Sequence, residues 1–349
     1  MDSPAPPARR VPKIRWGLRE TLRSLGGGPG YDGPPSDHFD GHVFFNPGSR
    51  GNRSFGDFLK WQRTREPKVW PRWVLNRARP ELPPAVVPGQ IALTFINHIT
   101  FLVQFAGLNI LTDPVYSWRV SPFRSLGPQR VRDPGLAFED LPPIHLVLVS
   151  HNHYDHLDLP TLMKLEAVHA PHFITGLGNR PFLQQFGLRS VDELDWWESR
   201  SVAAANITMT PARHWSSRRP RNRNRTLWGG FCVHSGGCQL YFAGDTGYGP
   251  HFREVRERFG QVNLALLPIG AYEPRWFMSN QHMDPDEAVR AHLDLGAKVS
   301  VGSHFGCFQL TDEGIDDPIV ELAAARQRHA VSEEDFPVLN TGETRLFRR

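Results

Sequence analysis

Ile144-His-Leu-Val-Leu-Val149 runs directly into Ser150-His-Asn-His-Tyr-Asp-His-Leu-Asp158, and this junction decides the fold. The first half has the length and composition of a strand buried on both faces. The second half puts His151, His153, Asp155 and His156 within six positions. Alternate residues of an extended chain project the same way, so His151 and His153 can hold one ion at the edge of a sheet. Asp155 and His156 come after the chain has turned, and they face a second position. Imidazole nitrogen suits zinc, while a carboxylate among the donors keeps manganese or iron open.

Further strand-like runs are expected at 91–96, 100–105, 109–112, 144–149, 207–210, 227–233, 239–243, 262–267 and 298–301. Helical patterns are expected at 159–168, 250–259, 284–295 and 318–329. Strands come in runs in each half with helices between and after, the pattern of an α/β protein in which two sheets pack face to face with helices outside.

The 349 residues suffice for a full core, with 40% hydrophobic and 22% charged residues. Net charge is a modest +4, but the cations are almost all arginine, with lysine only at 13, 60, 68, 164 and 298. Arginine forks fit phosphates. Three cysteines, Cys232, Cys238 and Cys307, cannot build a disulfide framework, so a reducing, cytoplasmic setting is expected. No run resembles a signal peptide or a membrane span.

Three parts are expected along the chain. Residues 1–50, rich in Pro, Gly and Arg, form a mobile arm; residues 51–89 form an aromatic and basic segment followed by a proline linker; residues 90–349 form the compact domain. In 55–77, Phe55, Phe58, Leu59, Trp61, Trp70, Trp73 and Val74 alternate with Lys60, Arg63, Arg65, Lys68, Arg72 and Arg77. Such mixing suits reversible attachment to a membrane surface, and equally the packing of the aromatics on the main domain.

A two-metal site needs donors beyond the central cluster. His214, Asp245 and His304 each lie just beyond an expected strand, in Pro211-Ala-Arg-His-Trp215, Gly244-Asp-Thr-Gly247 and Gly302-Ser-His-Phe-Gly306. Strand ends gathered at one edge are where sites assemble. The loop 213–225, with six arginines beside His214, could draw anionic headgroups. It carries no nucleic-acid-binding motif, and none is expected to bind.

His-x-His-x-Asp-His at 151–156 resembles the signature of the metallo-β-lactamase superfamily. Within it the chain is similar to the N-acylphosphatidylethanolamine-hydrolysing phospholipases D. The narrower likeness rests on Leu111-Thr-Asp-Pro114, Leu194-Asp-Trp-Trp-Glu198, Phe242-Ala-Gly-Asp-Thr-Gly-Tyr248, Pro268-Ile-Gly-Ala-Tyr-Glu-Pro-Arg-Trp-Phe-Met278 and the following Gln281-His282. The resemblance implies a four-layer αββα sandwich holding two zinc ions, one on His151, His153 and His214, the other on Asp155, His156 and His304, with Asp245 between them. It implies Asp155, Asp245 and His282 as catalytic residues, His282 assisting proton transfer, and Tyr154, Tyr272 and Trp276 as substrate contacts.

The implied reaction is hydrolysis of a phospholipid phosphodiester by a hydroxide held between the ions, giving an N-acylethanolamine and phosphatidic acid. The turn Asn97-His-Ile-Thr100 and the run His304-Phe-Gly-Cys-Phe308 depart from the family pattern, which bears on substrate rather than on metal. Lactone, amide or nucleic-acid phosphodiester hydrolysis on the same centre, and a non-catalytic lipid-binding role, are the alternatives.

Overall fold

The computed structural model describes residues 14, 16–48, 53–123 and 125–348, without the side chains of Phe55 and Pro220. Two sheets carry the domain. The first has seven strands in the order β13-β1-β2-β3-β4-β5-β6: β1 (Gln90–Asn97), β2 (Thr100–Phe105), β3 (Leu108–Thr112), β4 (Leu146–Val149), β5 (His172–Gly176), β6 (Val191–Leu194) and β13 (Thr344–Arg348). The second has six in the order β12-β11-β10-β9-β8-β7: β7 (Ser199–Val202), β8 (Ala205–Thr210), β9 (Gly230–Ser235), β10 (Cys238–Phe242), β11 (Leu264–Pro268) and β12 (Val299–Ser303).

Side-chain alternation sorts the layers. Leu146 and Leu148 of β4 enter the cluster between the sheets, where Leu240 and Phe242 of β10 and Leu264 and Leu266 of β11 meet them. Val147 and Val149 point the other way, against Leu159, Leu162 and Leu165 of α3 (Leu159–His169) and Phe182 of α4 (Arg180–Gln184). Tyr241, Ala265 and Leu267 point outward from the second sheet toward α5 (His251–Phe259), α7 (Pro285–Leu295) and α8 (Asp317–His329). The result is the expected four-layer αββα sandwich. β3 to β6 pair in parallel, as do β10 to β12, so their loops at one end of each sheet lie side by side.

The expected helices agree with α3, α5, α7 and α8 to within a residue. β5, β6, β7 and β13 were not expected. They are short and mixed: β6 reads Val-Asp-Glu-Leu and β7 is largely exposed, so no apolar alternation marks them.

The expectation of a mobile arm needs correction over the described part of 1–50. Residues 1–13, 15 and 49–50 lie outside the described residues. Phe39 and Phe44 are buried in the cluster between the sheets, with Tyr31 packed on both. His38 stacks on Trp196 and reaches Asp195 at 2.7 Å. A segment without a core of its own is here ordered by the core of the domain, and its Pro and Gly content carried no sign of that. It also holds α1 (Leu18–Gly26), with Gly27 in the left-handed conformation after it.

The aromatic and basic segment likewise packs on the domain. It contains α2 (Phe55–Thr64), whose N-cap Ser54 exchanges hydrogen bonds with Asp57. Trp61 is buried, stacked on Phe277 at 5.1 Å, and donates its indole N–H to Asp312 at 2.8 Å. Trp70 donates to the Glu313 carbonyl at 2.9 Å, and Trp73 stacks on Trp118 at 5.7 Å.

Candidate metal centre

Every donor stands at the end of a strand. β4 delivers His151 and His153; the chain then turns, with the His156 and Leu157 amides donating to the His153 carbonyl, and α3 starts at Leu159. The turn is pinned by Asp158, which accepts from the Ser117 amide and hydroxyl at 2.9 and 2.7 Å. β8, β10 and β12 bring His214, Asp245 and His304 from the second sheet. Gly244 makes the approach of Asp245 possible: its φ is +61°, and a Cβ there would lie 2.7 Å from that of Ser150.

The donors fall into two groups. His151 Nε2 and His214 Nε2 lie 2.8 and 3.2 Å from His153 Nδ1. In the second group, His156 Nε2 and His304 Nε2 lie 3.4 and 3.3 Å from Asp155 Oδ2, and 3.1 and 3.2 Å from Asp245 Oδ2. Ligands about 2.0–2.1 Å from a tetrahedral ion are spaced about 3.3 Å apart, so the second group has the spacing of a coordination shell. Asp245 Oδ2 also approaches His214 Nε2 at 3.8 Å, which links the groups.

Buried atoms without partners give a second test of fit. His156 Nε2 and Asp245 Oδ1 are buried and make no hydrogen bond, an arrangement that costs about 1–3 kcal/mol per atom, and more for a charged group, unless something fills the gap. A cation between these donors removes the deficit. The residues present fit two metal ions.

Charge is arranged accordingly. Burial pushes His151 and His153 well below the usual imidazole range, helped by the neighbouring His156, and lowers His214 to about 4, so these rings are neutral and their lone pairs free. Burial alone would raise the carboxyls of Asp155 and Asp245, but His156 and the other imidazoles outweigh it and hold both ionised. Burial opposes charge on His156 too, yet Asp245, Asp155 and Asp113 together lift it well above the ordinary value.

The sequence reading assigned no role to two residues that the structure places here. Asp113, just past β3, is fully buried and accepts from the Ser150 amide (2.7 Å), the Ser150 hydroxyl (2.5 Å) and His156 Nδ1 (2.7 Å). It thereby fixes which nitrogen of His156 faces the centre. His98, just past β1, puts Nε2 3.2 Å from Asp155 Oδ2. The strand-end rule that found His214, Asp245 and His304 would have found both.

A cavity of about 730 Å³ opens on this centre. Its lining includes His153, Asp155, Asp245, His282 and His304, an apolar wall of Phe58, Trp61, Phe277 and Met278, and the cations Arg53, Arg219 and Arg223. His282 lies with Nδ1 3.8 Å from Asp245 Oδ2, and burial lowers it to about 3, leaving it uncharged. Tyr154 lines the cavity and gives its hydroxyl to the Arg218 carbonyl.

Tyr272 and Trp276, expected as substrate contacts, do not line the cavity; Ala271, Phe277 and Met278 do. Tyr272 is fully buried, and Trp276 lies on the surface beneath Lys60. The arginine loop divides as well. Arg218 is buried and spends its donors on the carbonyls of Asn152, Leu157 and Ser24, so it braces the metal loop, while Arg213 and Arg225 donate to the Tyr248 and Pro29 carbonyls.

Residues 108–305 match the β-lactamase superfamily domain. The chain belongs to the metallo-β-lactamase superfamily. An uncharacterized protein of Mycobacterium tuberculosis is 38% identical over 267 residues, 74% of this chain and 71% of the relative. An N-acyl-phosphatidylethanolamine-hydrolyzing phospholipase D of Caenorhabditis elegans is 35% identical over 265 residues, 72% of this chain and 74% of the relative. Among solved structures, an isothiocyanate hydrolase from Delia radicum gut bacteria superposes with a TM-score of 0.59 at 22% identity, covering 74% of this chain and all of that one. As a member of this superfamily the chain is a hydrolase of metallo-β-lactamase fold, with His and Asp clusters that could hold metal.

Proposed function

We propose that this chain is a zinc-dependent phospholipase D-type hydrolase that converts N-acylphosphatidylethanolamine to N-acylethanolamine and phosphatidic acid. The observation that carries this reading is the composition of the cavity. An apolar wall suited to hydrocarbon and three arginines suited to phosphate line the same cavity as residues of the two donor groups. The phospholipase D name of the Caenorhabditis elegans relative supports the same substrate class.

His151, His153 and His214 would hold one ion, Asp155, His156 and His304 the other, and Asp245 both. Bound there, the pair supplies acidified water and neutralises charge on the attacking and leaving oxygens. The chain's own residues do the rest. Arg219 holds the anionic headgroup, together with the donors that Arg53 and Arg223 do not spend on the Phe277 and Arg53 carbonyls. Phe58, Trp61, Phe277 and Met278 form the apolar side against which one hydrocarbon chain lies. His282, kept neutral by burial, accepts a proton at one ring nitrogen and can return it to the departing ethanolamide oxygen.

Hydrolysis in oxygen-18 water tests bond choice. Attack at phosphorus puts the label in phosphatidic acid and leaves the ethanolamide unlabelled. Free fatty acid as the sole product would show an amide or ester hydrolase instead.

A diacyl substrate resides in a bilayer, so the cavity mouth should meet a membrane surface reversibly. No helix among the described residues is long and apolar enough to cross one. Trp61 is buried, but exposed apolar groups stand near the cavity: Phe58 in its lining, and Trp118, Phe123 and Leu126 of the segment whose Val120 and Pro128 line it, 49%, 45% and 64% exposed. Replacing Trp118, Phe123 and Leu126 by alanine should lower the rate on vesicles about tenfold or more and leave a soluble short-chain analogue nearly unaffected. Equal losses on both substrates would place the membrane surface elsewhere.

A further inference from the structure

We infer that His98 is a positioning residue for Asp155, holding that carboxylate where the second ion is bound. The inference rests on the two-ion reading above and extends it to a residue that the ligand set leaves out. His98 sits in the turn Asn97-His-Ile-Thr100 between β1 and β2, where the register of the two strands shifts. Its φ is +47°, an uncommon conformation for a side chain with a Cβ, and held strain of this kind gathers at functional positions. The surroundings impose it: the His98 carbonyl accepts the His304 amide at 2.7 Å, and the ring packs 4.1 Å from that of His304 and edge-on to Phe308 at 5.3 Å.

In that place the ring makes one polar contact, from Nε2 to Asp155 Oδ2 at 3.2 Å. An ionised carboxylate only accepts, so the proton is on Nε2, and the unprotonated Nδ1 is the atom that has no partner. His156 and His304 differ from it: each approaches both Asp155 and Asp245 to within 3.4 Å, as ligands of an ion between the two carboxylates must. His98 comes within 4.0 Å of the Asp155 carboxylate but not of the Asp245 carboxylate. Its donor atom lies within 4.8 Å of those of Asp155, His156 and His304, and the absence of an approach to Asp245 is what marks it as a group that orients Asp155 and does not bind the ion. Groups that orient a ligand in this way are worth about 10–100-fold in metal affinity.

The test is a titration of the full-length, metal-free chain with cobalt(II), comparing the parent with His98→Ala, His98→Phe and His98→Gln. The parent should take up two ions. In His98→Ala the second ion should bind about 10–100-fold more weakly, with the first unchanged. His98→Phe, which fills the ring's volume without a donor, should behave like His98→Ala and keeps the comparison intact if the smaller side chain prevents folding. His98→Gln, with an amide N–H to offer Asp155, should recover most of the affinity, and its saturated visible spectrum should match the parent's because no ligand has been exchanged. An unchanged second affinity in both donor-less variants overturns the inference. So does a changed spectrum in saturated His98→Gln, which would make His98 itself a ligand. A parent that binds fewer than two ions removes the two-ion reading first, and the inference with it.

Discussion

Asp245→Asn should reduce bound metal from two ions per chain to one or fewer and slow hydrolysis at least about a thousandfold, about 4 kcal/mol of barrier. Asp245 is the carboxylate whose oxygen approaches donors of both groups, His156 and His304 on one side and His214 on the other. Asparagine preserves its shape, so the experiment reads the loss of charge. Without that charge the first and second positions are no longer held together, and the repulsion between two cations is uncompensated. Metal analysis of the purified variant, beside its steady-state rate, checks the two halves separately. Two ions retained with a normal rate would remove Asp245 from the centre.

Asp113→Ala should be costly in a different way. The fully buried carboxylate accepts three hydrogen bonds, and truncation leaves the Ser150 amide, the Ser150 hydroxyl and His156 Nδ1 without their acceptor. Breaking a buried charged network typically costs about 3–5 kcal/mol, and His156, freed to change tautomer or turn, should hold its ion about 10–100-fold more weakly. Chemical denaturation of the metal-free protein measures the first effect and chelator competition the second. Unchanged denaturation would mean that water replaces the lost acceptor.

Much of this could be read from the chain alone, and the reasons are specific. Leu146-Val-Leu-Val149 is apolar on both faces because it lies between two helices and a second sheet, and a continuous apolar run shows that directly. The His and Asp donors were recognisable because strand ends supply sites, and four of them share one short segment. β6 and β13 were hidden because their residues alternate poorly: β13 is at the edge of its sheet, half-exposed along its length. Tyr272 was expected in the cavity because the run 268–278 is so distinctive, but distinctiveness does not tell which way a side chain points. The ring turned inward and its neighbours Ala271 and Phe277 took the lining. The burial of Phe39 and Phe44 was hidden for a related reason, since the sheet residues that cover them lie far along the sequence, whereas packing of Trp61 on the domain was one of the two readings its segment allowed.

β13 has one more consequence. Thr344–Arg348 pairs with β1 over Gln90–Thr94, and Thr94 and Thr344 share a hydroxyl hydrogen bond at 2.9 Å. The opening strand of the first sheet thus waits for a partner made some 250 residues later. During synthesis the edge of β1 is bare while the whole second sheet emerges, and His151 and His153 exist long before His304 can join them. The growing chain lacks only His304 of the seven donors once Asp245 has emerged, and closure of the sheet and completion of the donor set become late, nearly simultaneous events.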